Sequence, residues 1–174
     1  MKKASFVLIQ LAFFLAFCVQ ADKGTASVDS SQNSDSFPLA PQFTIEDLKG
    51  NSISLKDLDK RVIVLNFWAT WCPPCNSEIP GFIEAYAELK DKGLEIIGIS
   101  MDQIGAEGVI EFSNEYKINY PVAMATEEIY EAYKPGQYIP ASIIIDRNGR
   151  IRHRHVGFLD KADLIKYFED LTAE

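Results

Sequence analysis

From Leu39 onward the hydrophobic and polar positions fall into blocks of two kinds. Val62-Ile63-Val64-Leu65-Asn66-Phe67 and residues 94–100 (LEIIGIS) are apolar runs with little polar interruption, the pattern of strands covered on both faces. Between them, from Cys75, apolar residues recur at Ile79, Phe82, Ile83, Tyr86 and Leu89; that spacing is one face of a helix, and Gly93 ends it. Pro80 lies inside this helix and is expected to kink it. Beyond the second run, Val109, Ile110 and Phe112 predict a helix, residues 120–124 a short strand and residues 127–133 a short helix. Residues 141–146 (ASIIID) and 150–156 flank Arg147-Asn148-Gly149 as strand, turn and strand, and Asp160 caps a last helix carrying Leu164, Phe168 and Leu171. Ahead of all these, Phe43-Thr44-Ile45 and Ser52-Ile53-Ser54 on either side of Lys49-Gly50-Asn51 predict a small hairpin. Strands alternating with helices and closing in a hairpin imply an α/β fold, a mixed sheet with helices on both faces.

The beginning of the chain reads differently. Lys2 and Lys3 precede an apolar stretch over residues 6–19 broken by Gln10, and Val19-Gln20-Ala21 offers a cleavage site before Asp22. Residues 1–21 are therefore read as a signal peptide. The alternative is an uncleaved N-terminal anchor, although the stretch is short of the roughly 20 apolar residues of a bilayer span. Leu15-Ala16-Phe17-Cys18 also resembles a lipoprotein signal with Cys18 as the lipidated residue, with Phe17 where a small residue is expected. Residues 22–38 (DKGTASVDSSQNSDSFP) have almost no large apolar side chains and are expected to form a flexible linker, a membrane tether if the N-terminus is anchored. The folded domain is then residues 39–174, exported to the periplasm or otherwise outside the cytoplasmic membrane.

Charge removes one class of function. The chain carries a formal charge of −8, which disfavours binding to nucleic acid or anionic membranes. Its one basic cluster, Arg147, Arg150, Arg152 and Arg154, alternates with Ile151, His153 and His155 as a two-faced strand does. His153 and His155 read as solvent-exposed residues on one face of that strand.

Export sharpens the cysteine count. Without residues 1–21 only Cys72 and Cys75 remain, inside FWATWCPPCNSEIP. A structural staple is a weak reading, because closing so short a loop removes little entropy from the unfolded chain. A metal site would need further ligands, with His153 and His155 the only nitrogen candidates, so a copper or other metal chaperone is the alternative function. A reversible redox couple accounts for more residues at once. Cys72 follows a buried strand and stands where the helix begins, so the helix dipole stabilises its thiolate. Pro73 and Pro74 fit a first turn whose N–H groups have no intrahelical partner. Cys75, one turn on, can attack a mixed disulfide on Cys72.

Asn66-Phe67-Trp68-Ala69-Thr70-Trp71-Cys72-Pro73-Pro74-Cys75, with Ala40-Pro41, Glu78, Pro80 and Ile139-Pro140, resembles the TlpA/ResA-like thiol-disulfide oxidoreductases over about residues 39–172. The resemblance implies a thioredoxin-like fold with an N-terminal β-hairpin extension and an inserted helix-strand segment. It implies catalytic Cys72 and Cys75 forming a redox disulfide, and a cis proline at Pro140 lying against them. Ile139 and Pro140 would line a substrate groove together with Trp71, Pro73 and Pro74, Trp71 being the surface tryptophan and Trp68 the core one. Glu78 matches an acid kept beside the cysteines in the ResA-like branch. Independently, it lies three residues after Cys75 on one helical face, where a carboxylate can take the proton of Cys75; the plainer reading is an exposed helix glutamate. Asn66 stands where thioredoxins have a buried aspartate. A peroxiredoxin reading is disfavoured because Cys72 lacks the P-x-x-x-T-x-x-C framework.

The implied partners are extracytoplasmic proteins with thiols or disulfides, cytochrome c maturation being the process common in the family. A membrane or periplasmic thiol electron donor is also implied, since no flavin or nicotinamide motif is present and no cofactor or metal is called for. The opposite direction, a disulfide-forming oxidant, stays open.

Overall fold

A computed structural model describes residues 36–174. The proposed signal peptide, Cys18 and nearly all of the polar segment before Pro38 lie outside the described residues. No helix among the described residues is long and apolar enough to cross a membrane.

A five-stranded mixed sheet carries the fold. In chain order its strands are β3 (Val62–Trp68), β4 (Leu94–Ser100), β5 (Val122–Met124), β6 (Ala141–Ile145) and β7 (Ile151–Val156), preceded by the separate hairpin β1 (Thr44–Glu46) and β2 (Ser52–Ser54). Their spatial order is β5-β4-β3-β6-β7. β3, β4 and β5 run parallel, and β6 and β7 complete the sheet antiparallel. The helices are α1 (Pro73–Leu89), α2 (Gly105–Glu115), α3 (Glu127–Tyr133) and α4 (Lys161–Ala173). This is the thioredoxin-like arrangement expected, with the hairpin ahead of it and α2 and β5 as the inserted segment.

Strand alternation sorts the core into two halves. Val62, Val64 and Trp68 face α1, α2 and α4, packing with Ile79, Phe82, Val109, Leu164 and Phe168. Ile63, Leu65 and Phe67 face the other way, against Phe43, Ile129 and Tyr133. Position 66 belongs to the first series, so the one polar residue of β3 points towards α1. Gly98 in β4 faces the same side, and a Cβ there would lie 2.9 Å from Trp68 Nε1, so a side chain is excluded. α1 passes through Pro80 without ending.

Two aspartates close turns in ways the apolar pattern does not reveal. Asp47 Oδ1 accepts the Lys49 and Asn51 N–H groups at 2.8 Å each, which closes the β1–β2 turn around Gly50 (φ 82°). Asp146 Oδ1 accepts from the Asn148 and Arg150 N–H groups at 2.9 Å each, closing the β6–β7 turn. Asp160 caps α4 as expected, accepting from the Asp163 N–H at 2.8 Å. Phe37 and Pro38 lie against β7: the Arg152 guanidinium sits 4.4 Å over the Phe37 ring, and the Ile151 N–H donates to Pro38 O at 2.9 Å.

Phe82 is completely buried between α1 and the sheet, its ring 6.4 Å from that of Tyr120. Phe82→Ala is expected to lower stability by about 3–5 kcal/mol in urea unfolding of the oxidised protein. A loss below about 1 kcal/mol would contradict this packing.

Candidate active site

β3 ends at Trp68, and α1 begins five residues later with Cys72 as its N-cap. Because the first two helical residues are prolines, Cys75 supplies the first free N–H of the helix, and it points at Cys72 Sγ from 3.3 Å. The two sulfurs are joined as a disulfide. Cys72 is 4% exposed and Cys75 entirely buried, so an incoming group can reach only Cys72.

The loop before Cys72 is held from two sides. The Thr70 N–H and hydroxyl donate to Asp102 at 2.9 and 2.6 Å, and Ser100 donates to the same carboxylate at 2.9 Å. Asn76 Nδ2 donates to the Thr70 carbonyl at 2.9 Å. Asp102 escaped the sequence reading; its signal was a lone acid directly after an apolar strand, at the carboxyl end where α/β sites gather. Fixed in this way, Trp71 stands out at 65% exposure, as expected, while Trp68 is buried.

The peptide between Ile139 and Pro140 is cis, and the Ile139 carbonyl lies 3.7 Å from Cys72 Sγ. The Gly157 N–H donates to Pro140 O at 2.8 Å, bringing residues 157–159 beside this loop. Ile139, followed by the buried Pro140, thus meets Cys72, which is next to Trp71 in the chain, and Pro73 and Pro74 are exposed at the adjoining helix start.

Glu78 is not an exposed helix residue. It is 2% exposed, on the α1 face that carries Cys75, Ile79 and Phe82. Its Oε1 accepts from Asn66 Nδ2 at 2.7 Å and its Oε2 from the Leu159 N–H at 3.0 Å. Burial pushes its pKa up to about 7, against the pull of the Leu159 and Asn66 hydrogen bonds, which favour the ionised form. Burial, and then the charge of Glu78, also raises the Tyr120 phenol.

His153 and His155 depart from expectation. They are half-buried, because α4 covers their face of β7: Tyr167 lies 4.5 Å from the His153 ring and 6.4 Å from that of His155. His155 Nε2 is 3.0 Å from the Phe158 carbonyl, which fixes that nitrogen as a donor. Among the described residues no cluster of three or more His, Cys, Asp or Glu side chains is placed to hold a metal ion.

Residues 38–154 match the AhpC/TSA family. The thiol-disulfide oxidoreductase ResA of Bacillus thuringiensis (strain Al Hakam) is 38% identical over 134 residues, 76% of this chain and 76% of that protein. The ResA of Oceanobacillus iheyensis is 36% identical over 141 residues, 78% of this chain and 72% of the relative. The chain belongs to the ResA-like thiol-disulfide oxidoreductases. A thioredoxin-family thiol:disulfide interchange protein from Chlorobium tepidum TLS superposes with a TM-score of 0.73 at 31% identity, over 78% of this chain and 96% of that one. This ResA-like protein is a redox enzyme, and it carries Cys72 and Cys75 as a disulfide pair. Within the AhpC/TSA match, Leu65 and Ala69 occupy the positions where a P-x-x-x-T-x-x-C framework would place proline and threonine.

The Glu78 carboxyl makes stability depend on pH. Its folded value, about 7, lies above the ordinary 4.5, so the folded protein binds the proton more tightly than the unfolded chain between these limits. The stabilisation is complete below pH 4.5 and is lost as pH rises through 7, on the order of 3 kcal/mol in all. Urea unfolding of the oxidised protein is expected to show this decline in the wild type and to lose it in Glu78→Gln. Equal declines in both would place its origin elsewhere.

Proposed function

We propose that this ResA-like enzyme is exported and reduces disulfides in proteins outside the cytoplasm. The observation that carries the direction is electrostatic. A strong oxidant owes its potential to a stabilised thiolate in the reduced state. Here the helix N-terminus favours the Cys72 thiolate, but the nearest ionisable side chain built into the helix is the buried carboxyl of Glu78. No Lys, Arg or His occurs in residues 69–78, 135–140 or 156–159, the segments around the sulfurs. A centre with a carboxylate and no cation favours the disulfide, and so gives electrons away.

The chemistry runs in two exchanges. The Cys72 thiolate attacks one sulfur of a partner disulfide, forms a mixed disulfide and releases the other partner sulfur as a thiolate. Glu78 then takes the Cys75 proton, and the Cys75 thiolate attacks Cys72 Sγ. This closes the Cys72–Cys75 disulfide and frees the second partner thiol, two electrons having passed to the partner. Each oxygen of the carboxyl accepts one hydrogen bond, Oε1 from Asn66 and Oε2 from the Leu159 N–H, and keeps a lone pair for the proton. Trp71, Pro73, Pro74, Ile139 and Pro140 form the surface on which the partner lies. A thiol donor in the membrane or periplasm restores the dithiol.

Export rests on the leader pattern of residues 1–21, with residues 22–38 as the linker to a domain at 39–174. Cytochrome c maturation is the partner process that the family resemblance favours.

Equilibration with glutathione and dithiothreitol, read by thiol trapping, is expected to give a potential at or below about −250 mV. A value near about −120 mV would reverse the direction of electron flow. Cys72→Ser is expected to abolish disulfide reduction and Cys75→Ser to accumulate the mixed disulfide; full activity in Cys72→Ser would contradict the mechanism.

A further inference from the structure

The polar residues that interrupt the apolar strands on the α1 side meet at one point. Asn66 is 3% exposed and Ser142 1% exposed; they are directly opposite in the β3–β6 ladder. Both belong to strand positions that face α1, as Val64 and Ile144 do. Asn66 Nδ2 donates to Glu78 Oε1 at 2.7 Å and to Ser142 Oγ at 3.1 Å, so both of its hydrogens are engaged. The amide is thereby held between the acid and the Ser142 hydroxyl.

We propose that Asn66 is a positioning residue of the dithiol centre: its side-chain amide, oriented by Ser142, holds the Glu78 carboxyl in place for proton exchange with Cys75. This assignment rests on the proton-acceptor reading of Glu78. The Leu159 N–H holds Oε2 and Asn66 holds Oε1, so Asn66 supplies the side-chain half of the contacts that place the carboxyl. A neutral donor suits that task. It stabilises the carboxylate without pinning it, whereas an aspartate at 66 would set a second negative charge against the first, and an apolar residue would leave a buried anion short of a hydrogen bond.

The groups around Glu78 are few. β3 brings Asn66, β6 brings Ser142, residues 157–159 bring the Leu159 N–H, and the segment before β5 brings Tyr120; α1 itself brings the cysteines. None of these is a cation, so burial raises the carboxyl's pKa and the hydrogen bonds from Leu159 and Asn66 are what oppose it.

The test follows the Glu78 carboxyl carbon by NMR across pH in the oxidised full-length chain. Asn66→Leu removes the donor while keeping water out, so Glu78 is expected to hold its proton at least about tenfold more tightly, its midpoint moving up by about one pH unit. Asn66→Asp should move it further in the same direction. Ser142→Ala frees the amide and should move it up by less, and it decides the matter alone if the Asn66 variants do not fold. A wild-type midpoint in Asn66→Leu, or in Ser142→Ala where that variant stands alone, overturns the proposal. The titration judges Asn66 whether or not Glu78 accepts the proton. If the midpoints shift but Glu78→Gln reduces partner disulfides at the wild-type rate, the acceptor reading falls and the placement of Asn66 stands as structural only.

Discussion

A carboxyl group taken out of water must be hydrogen-bonded or lose its charge, and at Glu78 that requirement ties four parts of the fold together. α1 supplies the acid, β3 the amide that meets one oxygen, β6 the hydroxyl that orients the amide, and residues 157–159 the N–H that meets the other oxygen. The last of these segments is also bonded to the cis-proline loop through Gly157, and that loop touches Cys72 Sγ. The acid and the sulfurs are therefore placed by one connected set of contacts. Moving any one of the four elements alters both.

The cysteine pair itself depends on where β3 stops. The strand delivers the chain to the carboxyl end of the parallel strands, and two prolines leave the Cys75 N–H as the first donor of α1, aimed at Cys72 Sγ. Asp102, at the end of the neighbouring strand, takes both polar groups that Thr70 presents to it and holds the intervening loop. The helix terminus favours a thiolate at Cys72, and the buried acid opposes excess negative charge behind it. That balance is the physical basis for the proposal that the pair donates electrons.

Much of this was legible in the sequence, because the relevant signals were local. Unbroken apolar runs marked β3 and β4, helical spacing marked α1, and C-P-P-C after a strand marked the cysteines that the structure joins as a disulfide. The burial of Glu78 was less accessible: its spacing from Cys75 gave the face of the helix, but only packing against β3 and residues 157–159 decides that this face is dry there. Asn66 and Ser142 carried a signal of their own, since each is a polar interruption in an apolar strand; that they meet depends on a cross-strand register no single segment specifies. His153 and His155 were read from strand alternation alone, and the covering helix α4 changed the outcome. Asp47 and Asp146 close turns through their side chains, a role visible only with the backbone in place.

The most direct measurement is the single-turnover rate at which Cys75 releases a partner held on Cys72 as a mixed disulfide, followed across pH in the wild type and in Glu78→Gln. With Glu78 as the proton acceptor, the wild-type rate rises through a midpoint near 7, and the variant loses that rise. Coincident profiles in the two proteins, rising only near the about 8.5 of an ordinary thiol, would show that Cys75 loses its proton without Glu78.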